Sequence, residues 1–142
     1  MGRGLRAAAE AAVSADWPDA HGQMPGSLEL AYLGDALYEL YVRRHLLGRG
    51  EHVRQLHGRA IGIVCAQAQA RALALVEPIL TQQERDVARR ARNARQTPTK
   101  NAQTAAYHRA TALEAVLGYL YLTGQQERLD DIMRLILKDG KE

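Results

Sequence analysis

Two apolar stretches, each interrupted by one conspicuous acid, constrain this chain more than any other feature. The first is Leu28 to Leu47, LELAYLGDALYELYVRRHLL, in which Leu30, Leu33, Leu37 and Leu40 recur at helical spacing. In its middle Asp35 lies between Gly34 and Ala36. The second is Ala110 to Leu122, ATALEAVLGYLYL, where Glu114 is the only carboxylate and is bordered by Ala110, Thr111, Ala115 and Gly118. A carboxylate among apolar and small residues is expected to be largely dehydrated, which is costly unless a cation, a metal or a hydrogen bond offsets it. Small residues let two such helices cross closely and bring their acids together. Like charges raise each other's pKa, so they do not meet in a core for stability. They meet to hold a cation, and Mg²⁺, with its preference for hard oxygen ligands, is the one expected. The same residues also admit a bland arrangement, with Asp35 paired to an arginine and Glu114 at a helix edge.

The rest of the chain reads as further helix. Leu5 to Ala15 is alanine-rich and suits a short helix, and Trp17 to Gly26, with Pro18, Gly22, Pro25 and Gly26, suits a loop. Ser27 is placed to cap the Asp35 helix, with Gly48 and Gly50 ending it. Glu51 to Val76 carries Val53, Leu56, Ala60 and Val64 on one stripe and reads as one helix, with Gly58 and Gly62 permitting a break before Pro78. His57 lies beside that stripe and is expected to be packed. Thr81 and Glu84 have capping-box spacing at the start of TQQERDVARRARNA, whose apolar face is Val87, Ala91 and Ala94. RQTPTKNAQT follows as a polar loop, then the Glu114 helix to about Gly124. Gln125 to Lys138 forms a last helix with Leu129, Ile132, Met133 and Ile136 inward. No stretch alternates like a strand. The five tyrosines of the two central helices, Tyr32, Tyr38, Tyr41, Tyr119 and Tyr121, are expected in the core or at an interface, with partners for their hydroxyls.

Composition excludes several classes. The chain has 142 residues, 46% of them hydrophobic and 25% charged, which suits one folded domain. No apolar run is long enough to span a bilayer, and the start lacks a signal-peptide core. Cys65 is the only cysteine, which fits a reducing, cytoplasmic setting. The five histidines show no zinc spacing. Net charge is only +3, but its placement is informative. Between residues 85 and 100 stand Arg85, Arg89, Arg90, Arg92, Arg95 and Lys100, with Asp86 the one acid among them. Arginines on one helix face followed by a basic polar loop suit phosphate contacts. The absence of aromatics there argues against stacking on unpaired bases and for a duplex backbone. A solvated helix face would have the same composition.

LAYLGDALYEL and ALEAVLGYLYLTG resemble the two catalytic-helix motifs of the ribonuclease III fold. Asp35 matches the family's aspartate after the glycine, and Glu114 its glutamate before the alanine. Two further family acids are absent: a glutamate at the position of Ala31 and an aspartate at the position of Thr111. These departures, the LHGRA and AQAQA segments and the loop ARNARQTPTKNAQT are similar to the Mini-ribonuclease III branch, from about Leu28 to Ile136. The resemblance implies a compact, all-α, ribonuclease III-type endonuclease domain of about six or seven helices over residues 27–139, after an N-terminal extension and loop over residues 1–26. It also implies that no double-stranded-RNA-binding domain is expected. It further implies a homodimeric, cytoplasmic endoribonuclease for double-stranded RNA, trimming precursors of large-subunit ribosomal RNA and leaving 5′ phosphates, with no membrane partner. Asp35 and Glu114 would be both catalytic and metal-binding, with Mg²⁺ as cofactor and Mn²⁺ as a substitute. Arg85, Arg89, Arg92, Asn93, Arg95, Lys100 and Asn101 would contact the RNA. Two other readings compete: a catalytically dead duplex-RNA binder, motivated by Ala31 and Thr111, and a helical homodimer that serves only as an interaction module.

Overall fold

The structure is a computed structural model and describes residues 16–48, 50–94 and 102–139. Among these there are six α-helices and no strand. They are α1 (Ser27–Leu46), α2 (Val53–Val64), α3 (Ala66–Val76), α4 (Gln82–Ala94), α5 (Ala102–Leu122) and α6 (Gln126–Asp139), with a 3₁₀ turn at Glu77–Ile79. The all-α expectation holds. The proposed helix at Leu5 to Ala15 lies outside the described residues, as does most of the loop RQTPTKNAQT, whose last residues already belong to α5.

The centre of the molecule is α5, which packs most extensively on α1, α3 and α4. From Ala110 to Leu120 nearly every α5 residue is buried, and a helix apolar on all sides belongs inside. Two glycines set how closely α1 and α5 approach. A Cβ added at Gly34 would run into the backbone carbonyl of Glu114, and one at Gly118 into that of Leu30. Each helix thus supplies a glycine under the other's backbone.

The inward stripe of α1 differs from Leu30, Leu33, Leu37 and Leu40. Leu30 and Leu37 are buried, Leu33 is half-buried, and Leu40 is 62% exposed. The core row is Gly34, Tyr38, Val42 and Leu46, four residues apart. Because the whole helix is apolar, its own periodicity does not choose the buried face; the helices packed on it do. Tyr38 is buried, its hydroxyl donates to the Ile63 carbonyl (3.3 Å), and burial pushes its pKa up to about 12. Tyr41 donates to Asp130 and accepts from Gln126 Nε2 (2.8 Å), which ties α1 to α6.

Local signals fare unevenly. The first helix begins at Ser27, but the capping residue is Gly26, whose N–H donates to Glu29 Oε1 (2.9 Å). The segment from Glu51 to Val76 is two helices, bent by 58° across Cys65 rather than broken at Gly58 or Gly62. Val53 is 80% exposed and His57 is exposed, contrary to expectation, because only the Ala60 side of α2 faces the core. The capping box is present: Thr81 N–H donates to Glu84 Oε1 (2.9 Å) and Glu84 N–H to Thr81 Oγ1 (3.2 Å). Glu84 is also gripped by Arg128, Nε to Oε2 (2.9 Å) and Nη2 to Oε1 (2.8 Å). Burial pushes the Glu84 carboxyl up, but the bonds from Arg128 and Thr81 outweigh it and hold it below the usual range. In α6, Leu129, Ile132, Met133 and Ile136 are all buried, as their spacing implies. No single helix among the described residues is long and apolar enough to cross a membrane.

Gly34→Ala should destabilise the fold by about 3 kcal/mol, the upper end of typical overpacking costs, because backbone rather than a flexible side chain stands in the way. Gly58→Ala, mid-helix with nothing within 4 Å of its added Cβ, should instead stabilise by about 0.5–1 kcal/mol. Thermal or urea unfolding of the two variants checks both signs.

Candidate active site

The close crossing of α1 and α5 decides where the two acids go. Gly34 lies under the Glu114 backbone, so the next residue, Asp35, emerges about 100° round the helix, at the edge of the contact. Asp35 and Glu114 line one cavity of about 410 Å³. Ala31 and Thr111, where the ribonuclease III pattern has its other two acids, line the same cavity. Four positions that sequence comparison alone links are therefore neighbours in space.

The electrostatics differ from the expected dehydrated pair. Asp35 is exposed and Glu114 half-buried. The glycine, not the acid, occupies the tightest point, so the carboxylates face the cavity rather than the core. No arginine is among the described residues lining the cavity. The Thr111 hydroxyl donates back to the Tyr107 carbonyl (3.0 Å) and Ala31 is buried, so neither position substitutes for a missing carboxylate.

Among the described residues, no group of three or more His, Cys, Asp and Glu side chains is disposed to hold a metal. The donor set is nonetheless suited to Mg²⁺, which commonly takes one or two carboxylates and fills its octahedron with water and substrate phosphate oxygens. A further polar side chain lines the cavity. Gln69, on α3, is 2% exposed; its Nε2 donates to the Val64 carbonyl (2.9 Å) and its Oε1 is buried with no partner. Sequence reasoning passed over this residue because AQAQA hides which glutamine points inward. Its spacing of four from Leu73 and seven from Val76, both buried, was the available signal.

Arg85, Arg89, Arg92 and Asn93 lie exposed on α4 and line a second cavity, of about 340 Å³, together with Glu77 and Asp86. It shares no lining residue with the acid cavity: Ala112 borders one, Ala110, Thr111 and Glu114 the other. The Arg85 guanidinium already donates to the carbonyls of Leu80 (3.1 Å) and Glu77 (2.9 Å), and Arg89 sits 3.5 Å from Asp86. Arg92 and Asn93 stand in the last turn of α4, and Arg95, Lys100 and Asn101 lie outside the described residues. The exit from α4 is fixed by a residue that the sequence did not single out: buried His108 of α5 bonds through Nδ1 to the Arg92 carbonyl (3.2 Å).

The ribonuclease III domain family matches residues 28–125. A Mini-ribonuclease 3 of Symbiobacterium thermophilum is 51% identical over 109 residues, 75% of this chain and 84% of that protein. One from Gloeobacter violaceus is 46% identical over 110 residues, 77% of this chain and 81% of that protein. Among solved structures, a protein of Fusobacterium nucleatum superposes with a TM-score of 0.74 at 30% identity, covering 82% of this chain and 94% of that one. A family match over most of the chain, on a fold whose two central helices carry the acids of the family pattern into one cavity, leaves one conclusion: the chain belongs to the ribonuclease III family, in its Mini-ribonuclease III branch, and is an endoribonuclease.

Proposed function

We propose that the chain is a Mg²⁺-dependent, homodimeric endoribonuclease that cleaves double-stranded RNA, in the cytoplasm, during maturation of large-subunit ribosomal RNA precursors. The observation that carries this reading is the convergence of Asp35 and Glu114, with Ala31 and Thr111, on one open cavity. Asp35 and Glu114 would hold the cation. When bound, it would acidify a coordinated water and neutralise charge on the phosphate under attack. Exposed Asp35 comes from α1 and half-buried Glu114 from α5, so the cation would be held between the two helices. Short, uncharged Ala31 and Thr111 leave room for water or phosphate oxygens where the family pattern has carboxylates. Hydrolysis that breaks the bond between the phosphorus and the 3′ oxygen would leave the water oxygen on a 5′ phosphate and the departing 3′ oxygen as a hydroxyl. The smaller set of acids also suits a second reading, a duplex-RNA binder without activity.

Asp35→Asn and Glu114→Gln should each slow cleavage by at least about 100-fold, equivalent to about 2.7 kcal/mol at 1.36 kcal/mol per tenfold, while duplex binding persists. Cleavage assays in Mg²⁺ beside a binding titration decide this. Near wild-type cutting by either variant removes the proposed site, and no cutting by the wild type in any divalent metal favours the inactive binder.

Assembly is supported by the outer face of α1. Leu28, Tyr32, Ala36 and Leu40 follow at intervals of four and are all exposed, Tyr32 by 85%. An uncovered apolar row of this kind on a central helix suits a partner, and its Leu28–Tyr32 end borders the acid cavity. A two-fold pair would present two cavities to one duplex, one for each strand. Light scattering at micromolar concentration should report twice the 15.7 kDa chain mass, with Tyr32→Lys shifting it toward monomer. A wild-type monomer that still makes paired cuts would refute the assembly.

Basic residues at the end of α4 would grip phosphates. Neutralising Arg92, Arg95 or Lys100 should weaken binding to unrelated duplexes alike and flatten log K against log salt by roughly 0.7 to 0.9 per lost contact. An affinity series over salt, with two unrelated duplexes, measures the slope. Unchanged slopes in all three variants would make this region a solvated face only.

A further inference from the structure

Among the described residues, Gln69 is the one buried polar group at the acid cavity to which the proposed chemistry gives no role. Three side-chain atoms among the described residues are buried without a hydrogen-bond partner: Glu51 Oε1, His108 Nε2 and Gln69 Oε1. Only Gln69 also lines the cavity that holds Asp35 and Glu114. Its orientation is fixed by chemistry, since the atom bonded to the Val64 carbonyl must be the donor, Nε2 (2.9 Å). The other end is therefore the oxygen, an acceptor only. Leaving such an acceptor unmet carries a desolvation penalty, so its position calls for a donor.

We propose that Gln69 is a positioning residue of the metal site, whose Oε1 accepts a hydrogen bond from a water in the shell of the divalent cation held by Asp35 and Glu114. This rests on the two-acid reading of the cavity. A cation with two protein carboxylates keeps several waters, and each of those waters donates hydrogen bonds. A carboxamide oxygen can receive one without adding negative charge, whereas a third carboxylate would raise the pKa of the other two. α3 thus contributes a neutral acceptor to a site whose carboxylates come from α1 and α5. A purely structural role is the competitor, because Nε2 also caps the last carbonyl of α2.

Mn²⁺ binding to the full RNA-free chain, followed by the loss of the free-ion electron paramagnetic resonance signal, separates the two, with thermal unfolding measured alongside. Asp35→Asn is the benchmark and should weaken binding by at least about tenfold. Gln69→Met, of similar length but without an acceptor, should weaken it by about tenfold, the usual loss for a partner in the outer shell of a metal. Gln69→Glu keeps an oxygen but loses the N–H donated to Val64, so it should lower the melting temperature and leave Mn²⁺ affinity at or above wild type. A folded Gln69→Met with unchanged affinity, or a Gln69→Glu that loses as much affinity as Gln69→Met, overturns the proposal. Should Gln69→Met fail to fold, Gln69→Asn, which withdraws the carboxamide by one methylene, decides on the same tenfold criterion. If Asp35→Asn leaves affinity unchanged, the two-acid reading itself fails; if Asp35→Asn weakens binding and Gln69→Met does not, only the role of Gln69 falls.

Discussion

The close approach of two helix backbones governs this molecule. Gly34 faces the Glu114 carbonyl and Gly118 faces the Leu30 carbonyl, and neither place has room for a side chain. Such a contact, made twice, fixes the separation, the register and the crossing point of α1 and α5. The sites of chemical interest are fixed by it too, because Asp35 follows one of these glycines and Glu114 supplies the backbone against the other helix. Since backbone atoms cannot step aside as a rotamer can, the position of the acids is held by parts of the chain that no ligand touches.

Around that crossing the rest of the fold is supporting structure. Buried α5 gives α1, α3 and α4 a common surface. Arg128 clamps the start of α4 through Glu84, and His108 holds its end through the Arg92 carbonyl. The basic helix is therefore anchored at both ends while its arginines remain in solvent. Its cavity meets α5 at Ala112, whereas the acid cavity meets it at Ala110, Thr111 and Glu114, so the groups suited to gripping phosphate and those suited to holding a cation line separate cavities. A duplex, which spans far more than one helix diameter, is a ligand able to meet both.

Asp35 illustrates why an acid in an apolar sequence need not be a buried acid. Its neighbours Gly34 and Ala36 suggested dehydration, yet a residue beside the contact point faces outward into the cavity. The carboxylate thus avoids the desolvation cost that would otherwise require a permanent partner. It remains available to a cation that brings its own water. Gln69 shows the reverse, a polar side chain in an alanine-rich segment that is almost wholly enclosed.

The sequence by itself determined those features whose causes lie within a few residues. The all-helical character, the Thr81–Glu84 cap, the inward face of α6 and the two glycine-and-acid stretches are of this kind, because each depends on spacings of three or four residues along one helix. Tertiary structure decided what spacing leaves degenerate. Where a helix is apolar all round, as α1 is, only its neighbours choose Tyr38 for the core and leave Leu40 in solvent. The break at Cys65, the place of Gln69 in the cavity of the two acids and the separate cavity of the basic helix have the same origin: each is set by contact with a segment distant in sequence, whose geometry no local pattern encodes.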